Sequence, residues 1–177
     1  YKDIDIFPVY REFAEKYKGN GFVKKSDENW MNKYFSCSEK VKIDLFLRYG
    51  SIAAAGDRHL AEFCQGDWYL KDKETVEKWG FALTPVSWRK GDLEKRLERS
   101  EKLYSGEEKF ELKETGEEGV QQIRALLGLG DLVTNVNIPN YGQIPNLPIG
   151  AVVETNACFR ANSLNPVFAG NIPQAIY

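Results

Sequence analysis

An α+β fold, with helices first and a small, largely antiparallel sheet last, is the class this sequence predicts. Two patterns carry the prediction. Up to about Leu127 the apolar residues recur three and four apart, with cap and stop residues at the ends of each run. From Asp131 they alternate instead, are rich in β-branched types and are punctuated by Asn, Pro and Gly. Helices grouped ahead of strands make the α+β pattern. At 177 residues the chain has single-domain length. It can bury a core, since a chain of ~150 residues hides roughly 70% of its unfolded surface.

The elements follow in order. Asp5 can cap a first helix with Pro8 in its first turn, and Phe7, Tyr10, Phe13 and Tyr17 share one face before Gly19. A second helix is expected from Ser36 or Ser38, with the stripe Val41, Leu45 and Tyr49 and a stop at Gly50. A short helix is expected around Arg58–Phe63. Lys90 to about Tyr104 is dense in charge, with Leu93, Leu97 and Tyr104 on one side, as in a solvated amphipathic helix. Glu117–Leu127 gives another, with Val120, Ile123, Leu126 and Leu127 facing inward and Gly128 and Gly130 after it. Leu132–Ile138 reads as a strand, Pro139–Gly142 as a turn, Ala151–Thr155 as a second strand, and Phe159 onward as a third. Pro173 suits the first turn of a last helix. With Tyr1 in place of Met, both ends read as cuts through a longer protein.

Composition excludes several function classes. Twenty-four Lys plus Arg against 26 Asp plus Glu leave a net charge of −2, so no long-range field draws the chain to nucleic acid or an anionic membrane. No apolar run approaches the ~20 residues of a membrane span, and the first residues lack the layout of a signal peptide. Cys37, Cys64 and Cys158 are far apart and His59 is the one histidine, which argues against a disulfide framework and a zinc site. Free thiols in a reducing, cytoplasmic compartment are expected, with no metal ligand in the chain. Thirteen per cent aromatic content is high, and suits either a core or a surface that meets sugar or a second domain.

The densest polar cluster is Gly56–Glu62, following the small residues Ala53–Ala55. His59 can serve as a base near neutral pH, with Asp57 or Glu62 to orient or charge it. In a helix, Arg58 and Glu62 are four apart and can simply pair. Both readings stand on the residues alone. Asn135, Asn137, Asn140 and Asn146 stud the strand-turn region with Pro139, Pro145 and Pro148. Amides at period two on one strand face, as at Asn135 and Asn137, can hydrogen-bond sugar hydroxyls, but a rigid turn is the commoner use of Asn and Pro and the favoured one here. Arg89 can hold a carboxylate in a planar, bidentate way or make a surface ion pair. Gly128-Leu-Gly130 closes a helix, whereas a phosphate-cradling glycine loop follows a strand and opens one, so no nucleotide motif is present.

One family uses this wording. The segment from Asn135 through Pro148, NVNIPNYGQIPNLP, followed by Ala151–Ala157, AVVETNA, resembles the C-terminal part of glycoside hydrolase family 4. Ala55–Phe63, AGDRHLAEF, resembles that family's α-galacturonidase-like and α-galactosidase-like branch, and Glu117–Gly119 and Ala125–Asn135 extend the match. The resemblance implies the substrate-side domain of an NAD- and manganese-dependent glycosidase, spanning residues 1–177, with a fold like the C-terminal domain of lactate and malate dehydrogenases. It implies oxidation at sugar carbon 3, loss of the acidified proton at carbon 2, elimination of the glycosidic oxygen, addition of water and reduction. The implied substrate is an α-galacturonide or α-galactoside. A relative's tyrosine base aligns nearest His59, Asp57 is a second acid–base group, Arg58 or Arg89 meets a uronic carboxylate, and Asn135 and Asn137 contact the sugar. The NAD-binding Rossmann domain and the metal-binding Cys and His segments are expected upstream. The isolated piece is therefore expected to bind neither cofactor and to be inactive. A homo-oligomer is implied as well. The alternatives are a 6-phospho-α-glucosidase-type member of the family or a non-catalytic binding or oligomerisation module.

Overall fold

The structure, a computed structural model, describes residues 4–22, 37–113 and 116–177. Backbone contacts divide the chain into two compact units, Tyr1–Lys109 and Phe110–Tyr177. The first is helical and the second carries the sheet, so the α+β expectation holds.

In the first unit, α1 spans Phe7–Tyr17 with proline in its first turn. Asp5 accepts the Phe7 N–H through Oδ1 at 2.9 Å, from one residue before the N-cap position. Helix α2 spans Lys40–Tyr49 and ends at Gly50, whose φ of 70° lets its N–H reach back to the Phe46 carbonyl. The expected stripe of α2 is half of what it buries. Val41 joins Ala61, Tyr69, Val76 and Phe81, with Leu45 packed alongside. Ile43 and Phe46 turn the other way, onto Ala14 and the Tyr10, Phe13 and Tyr17 rings of α1. Phe46 meets Phe7 and Tyr10 edge-on, at ring centroid distances of 5.4 and 4.8 Å. Full burial of such a ring contributes about 1.5–3 kcal/mol. Helix α2 is thus the wall shared by two clusters, which a single stripe does not describe.

Ser38 does not open α2. Its hydroxyl donates to the Trp79 carbonyl at 2.9 Å and its N–H to the Gly80 carbonyl, so it ties the chain to a later helix. The other expected start, Ser36, lies outside the described residues. Helix α3 spans Asp57–Glu62, α4 Gly66–Tyr69, α5 Lys73–Trp79 and α6 Val86–Ser105. Asp72 caps α5 by accepting the Thr75 N–H at 2.7 Å. Helix α6 buries no residue and holds its own surface with pairs four apart, Arg96–Asp92 and Lys102–Glu98.

In the second unit, α7 spans Gly119–Leu126 and the strands are β1 Leu132–Pro139, β2 Val152–Arg160 and β3 Ser163–Pro166. They form one antiparallel sheet in the order β1-β2-β3. The second strand runs on through Phe159, and the third starts at Ser163 after a turn in which Asn162 takes φ 55°. The expected start of β3 at Phe159 is therefore corrected. So is the inward stripe of α7: Ala125 is the residue it buries, while Val120, Ile123 and Leu127 are more than half exposed. The helix approaches β1 and β2 through that small residue, and its larger side chains point away. After Pro173 the chain makes a turn, with the Ile176 and Tyr177 N–H groups on the Pro173 carbonyl. Among the described residues no helix is long and apolar enough to cross a membrane.

Candidate active site

Gly56, extended at φ −81° and ψ 166°, delivers the chain into α3, so that Asp57, Arg58 and His59 occupy its first turn. Asp57 turns inward and is wholly buried. Its Oδ1 accepts the Lys42 N–H at 3.0 Å. The carboxylate therefore caps α2 from a different helix. Helix α2 needs that cap, because its own N-cap residue, Glu39, makes no side-chain cap bond. Glu39 has φ 59°, a left-handed conformation that costs a side-chain-bearing residue about 1–2 kcal/mol. Burial raises the Asp57 carboxyl above the ordinary carboxylate range, against the pull of the Lys42 and Val41 N–H groups. Its second oxygen, Oδ2, is buried and has no hydrogen-bond partner.

His59 and Arg58 face outward. Arg58 donates through Nη1 to the Thr84 hydroxyl at 2.7 Å, and its Nη2 lies 3.4 Å from His59 Nε2. A guanidinium has no acceptor, so Nε2 is the accepting side of that contact. Nδ1 in turn faces Glu62 Oε2 at 3.9 Å, with both side chains more than half exposed. Glu62 therefore sits beside His59, and the expected Arg58–Glu62 pair gives way to Arg58–Thr84. Arg89 lies one turn into α6, which Thr84 and Pro85 precede, with its guanidinium 5.9 Å from the Trp88 ring centre.

The two asparagines chosen from sequence are in the second unit. Asn135 and Asn137 point to the exposed face of β1, opposite Asn156 and Glu154 of β2. They lie in a strand and not in a turn. The turn-building amides are Asn140, one of the asparagines for which a turn role is expected, and Gln143, which the sequence reading did not select. Asn140 is wholly buried and donates to the carbonyls of Ile144, Leu147 and Pro148, while accepting the N–H groups of Gly142 and Ile144. Gln143 accepts the Tyr141 N–H and donates to the Pro139 carbonyl. The signal was present: Asn140 lies between a proline and a Tyr-Gly pair, the composition of an Asx-stabilised turn.

Sequence reading also missed that Cys37 and Glu39 gather beside Asp57. Potential ligand atoms of the three all lie within 4.8 Å of one another. The Cys37 thiol is 3.7 Å from Glu39 Oε1, and burial raises its pKa. A shallow groove of about 510 Å³ in the second unit, lined by Leu112, Lys113, Val120 and Arg124 among others, includes none of the residues chosen from sequence.

Residues 1–177 match the model of the family 4 glycosyl hydrolase C-terminal domain. An alpha-galacturonidase from Thermoanaerobacterium saccharolyticum is 66% identical over 99% of the chain, which spans 38% of that protein. An alpha-galacturonidase from Lachnoclostridium phytofermentans is 53% identical, again over 99% of the chain and 38% of the relative. A crystal structure of a Bacillus subtilis protein described as a glucosidase superposes with a TM-score of 0.84 at 45% identity, covering 99% of this chain and 39% of that one.

Proposed function

The chain belongs to the family 4 glycosyl hydrolases, through their C-terminal domain, and from that membership we propose that it is the substrate-side part of an α-galacturonidase. The observation that carries this reading is the 66% identity, over nearly the whole chain, to an alpha-galacturonidase. The chemistry assigned to the whole enzyme is oxidation, elimination, addition and reduction, with NAD and manganese. Gly128 and Gly130 follow a helix, which is the wrong context for a phosphate loop. Among the described residues, the cluster of three potential metal ligands, Cys37, Glu39 and Asp57, does not include His59. Both cofactors are assigned to the remainder of a longer, cytoplasmic, homo-oligomeric enzyme.

What the chain's own residues contribute follows from α3. A uronate carboxylate matches the planar fork of a guanidinium. Arg58, braced on Thr84, is the first such group, and Arg89 the second. A carboxylate that takes Arg58 Nη2 releases His59 Nε2, the unprotonated ring nitrogen, to accept the proton from sugar carbon 2. Glu62 then stabilises the imidazolium through Nδ1. Asp57 acts from beneath by fixing the start of α3 against α2.

The test uses the whole enzyme with NAD, manganese and a reductant, turning over nitrophenyl α-galacturonide and α-galactoside in heavy water. Deuterium at carbon 2 of the released sugar, lost together with activity on removing NAD or metal, supports the reading. Hydrolysis without deuterium overturns the mechanism, and no hydrolysis of either sugar favours a binding module. His59→Ala is expected to lower kcat roughly 10²–10⁴-fold, the range for losing a general base. Arg58→Ala is expected to raise KM for the galacturonide and spare the galactoside.

A further inference from the structure

We propose that Cys37, Glu39 and Asp57 form a site for a borderline divalent cation, zinc in the first instance, separate from the manganese assigned above.

The donor set has one sulfur and two carboxylates, which suits zinc or cobalt better than a hard, oxygen-seeking ion. Its geometry is close to that of a bound ion. With bonds of roughly 2.3 Å to sulfur and 2.1 Å to oxygen, a tetrahedral site places neighbouring ligands about 3.6 Å apart. The Cys37–Glu39 edge is already 3.7 Å, and the remaining ligand atoms fall within 4.8 Å. Closing the set needs the Asp57 oxygen to move inward by at most about 1.2 Å.

Asp57 supplies the second, independent observation. Lys42 N–H occupies Oδ1, and Oδ2 is left buried with no partner. Such an orphan is costly, and native proteins leave few of them. A cation would complete it. The left-handed turn at Glu39, unusual for a side-chain-bearing residue, brings its carboxylate back to within 3.7 Å of Cys37 across only two residues.

Charge balances too. Two carboxylates and a thiolate sum to −3. A divalent ion together with Lys42, whose Nζ is 3.4 Å from Glu39 Oε2, restores neutrality. The thiol proton is released to solvent as the Cys37–metal bond forms.

The whole enzyme, freed of metal and kept without oxygen, is titrated with cobalt as the probe. Wild type is expected to take up one equivalent more than Cys37→Ser and to show a thiolate-to-cobalt charge-transfer band that this variant loses. Cys64→Ser, a half-buried thiol outside the cluster, is the control and keeps both. Glu39→Gln, on the partly exposed rim, weakens the extra equivalent at least tenfold with an unchanged circular dichroism spectrum, and guards against Cys37→Ser merely unfolding. Equal stoichiometry and equal bands in wild type, Cys37→Ser and Glu39→Gln would overturn the site. No sugar enters the measurement, so this outcome is independent of the glycosidase reading.

Discussion

Replacing Asn140 tests whether the Pro139–Ala151 loop is a scaffold held by one amide. Five hydrogen bonds converge on that side chain: three from Nδ2 to carbonyls at 2.9, 2.9 and 3.2 Å, and two into Oδ1 at 3.1 Å each. The Ile144 and Pro148 carbonyls have second donors, the N–H groups of Leu147 and Ala151. The Leu147 carbonyl and the Gly142 and Ile144 N–H groups depend on Asn140 alone among the described bonds. At about 1 kcal/mol for each group stranded, Asn140→Ala is expected to cost roughly 3 kcal/mol. Asn140→Asp has the same shape but turns carboxylate oxygens toward three carbonyls, so it is expected to cost more than alanine. Urea unfolding of the full chain gives both values, and hydrogen exchange at the Gly142 and Ile144 amides localises them. Asn146→Ala is the reference: it removes two bonds to Ile172 and is expected to cost about 1–2 kcal/mol. An Asn140→Ala loss below that of Asn146→Ala, or an aspartate milder than alanine, would refute the reasoning.

Three further outcomes follow from the geometry. The folded-state pKa of Asp57 is raised above its ordinary 3.8. Its contribution to stability is therefore fully present below that value and is lost as pH rises through the folded pKa. Asp57→Asn keeps an acceptor for Lys42 N–H and removes the titration, so its urea midpoint should improve relative to wild type as pH rises from about 4 toward neutrality. A pH-independent difference between the two would count against this. Gly80→Ala and Gly50→Ala carry similar backbone strain, with φ of 69° and 70°, but a Cβ at Gly80 meets Ser38 Oγ at 2.5 Å whereas Gly50 faces open space. Thermal melts should show about 1 kcal/mol lost at Gly50 and about 1–3 kcal/mol more at Gly80; equal losses would dismiss the Ser38 contact. Replacing Thr84 by valine removes the brace on Arg58 and is expected to raise KM for the galacturonide several-fold at unchanged kcat. A fall in kcat alone would place Arg58 outside substrate binding.

Periodicity exposed most of the architecture. Helices α1, α2, α3, α6 and α7 and the first strand stand where spacing puts them, because each is long enough or well enough capped to leave a local signal; the second strand starts where expected but runs on to Arg160. Helices α4 and α5 were not seen: they have 4 and 7 residues, and their apolar residues Tyr69 and Val76 join a cluster built from distant segments. The inward stripe of α7 failed for a related reason. Periodicity shows that one face is apolar, but an alanine lets the helix approach the sheet closely, and the larger residues are left out. At the site, the consecutive run Asp57-Arg58-His59 was legible as chemistry. Its division into a buried carboxylate, a half-buried guanidinium and an exposed imidazole was not, since that depends on α2 lying against α3. Cys37 and Glu39 join the group only through the same tertiary contact, which spacing along the chain does not encode.

The borrowed cap on α2 also bears on the order in which the chain folds. A helix of 10 residues is below the ~12–15 at which an isolated helix is even marginal in water, and its first turn is closed by a carboxylate 15 positions downstream. Nucleation of α2 therefore waits for the loop to Asp57 to close. The two helices then enter the transition state as one step, and substitutions at Asp57 and at Val41, which packs on Ala61 of α3, should give matching φ-values. The residue that opens α3 thereby also sets when its neighbour can form.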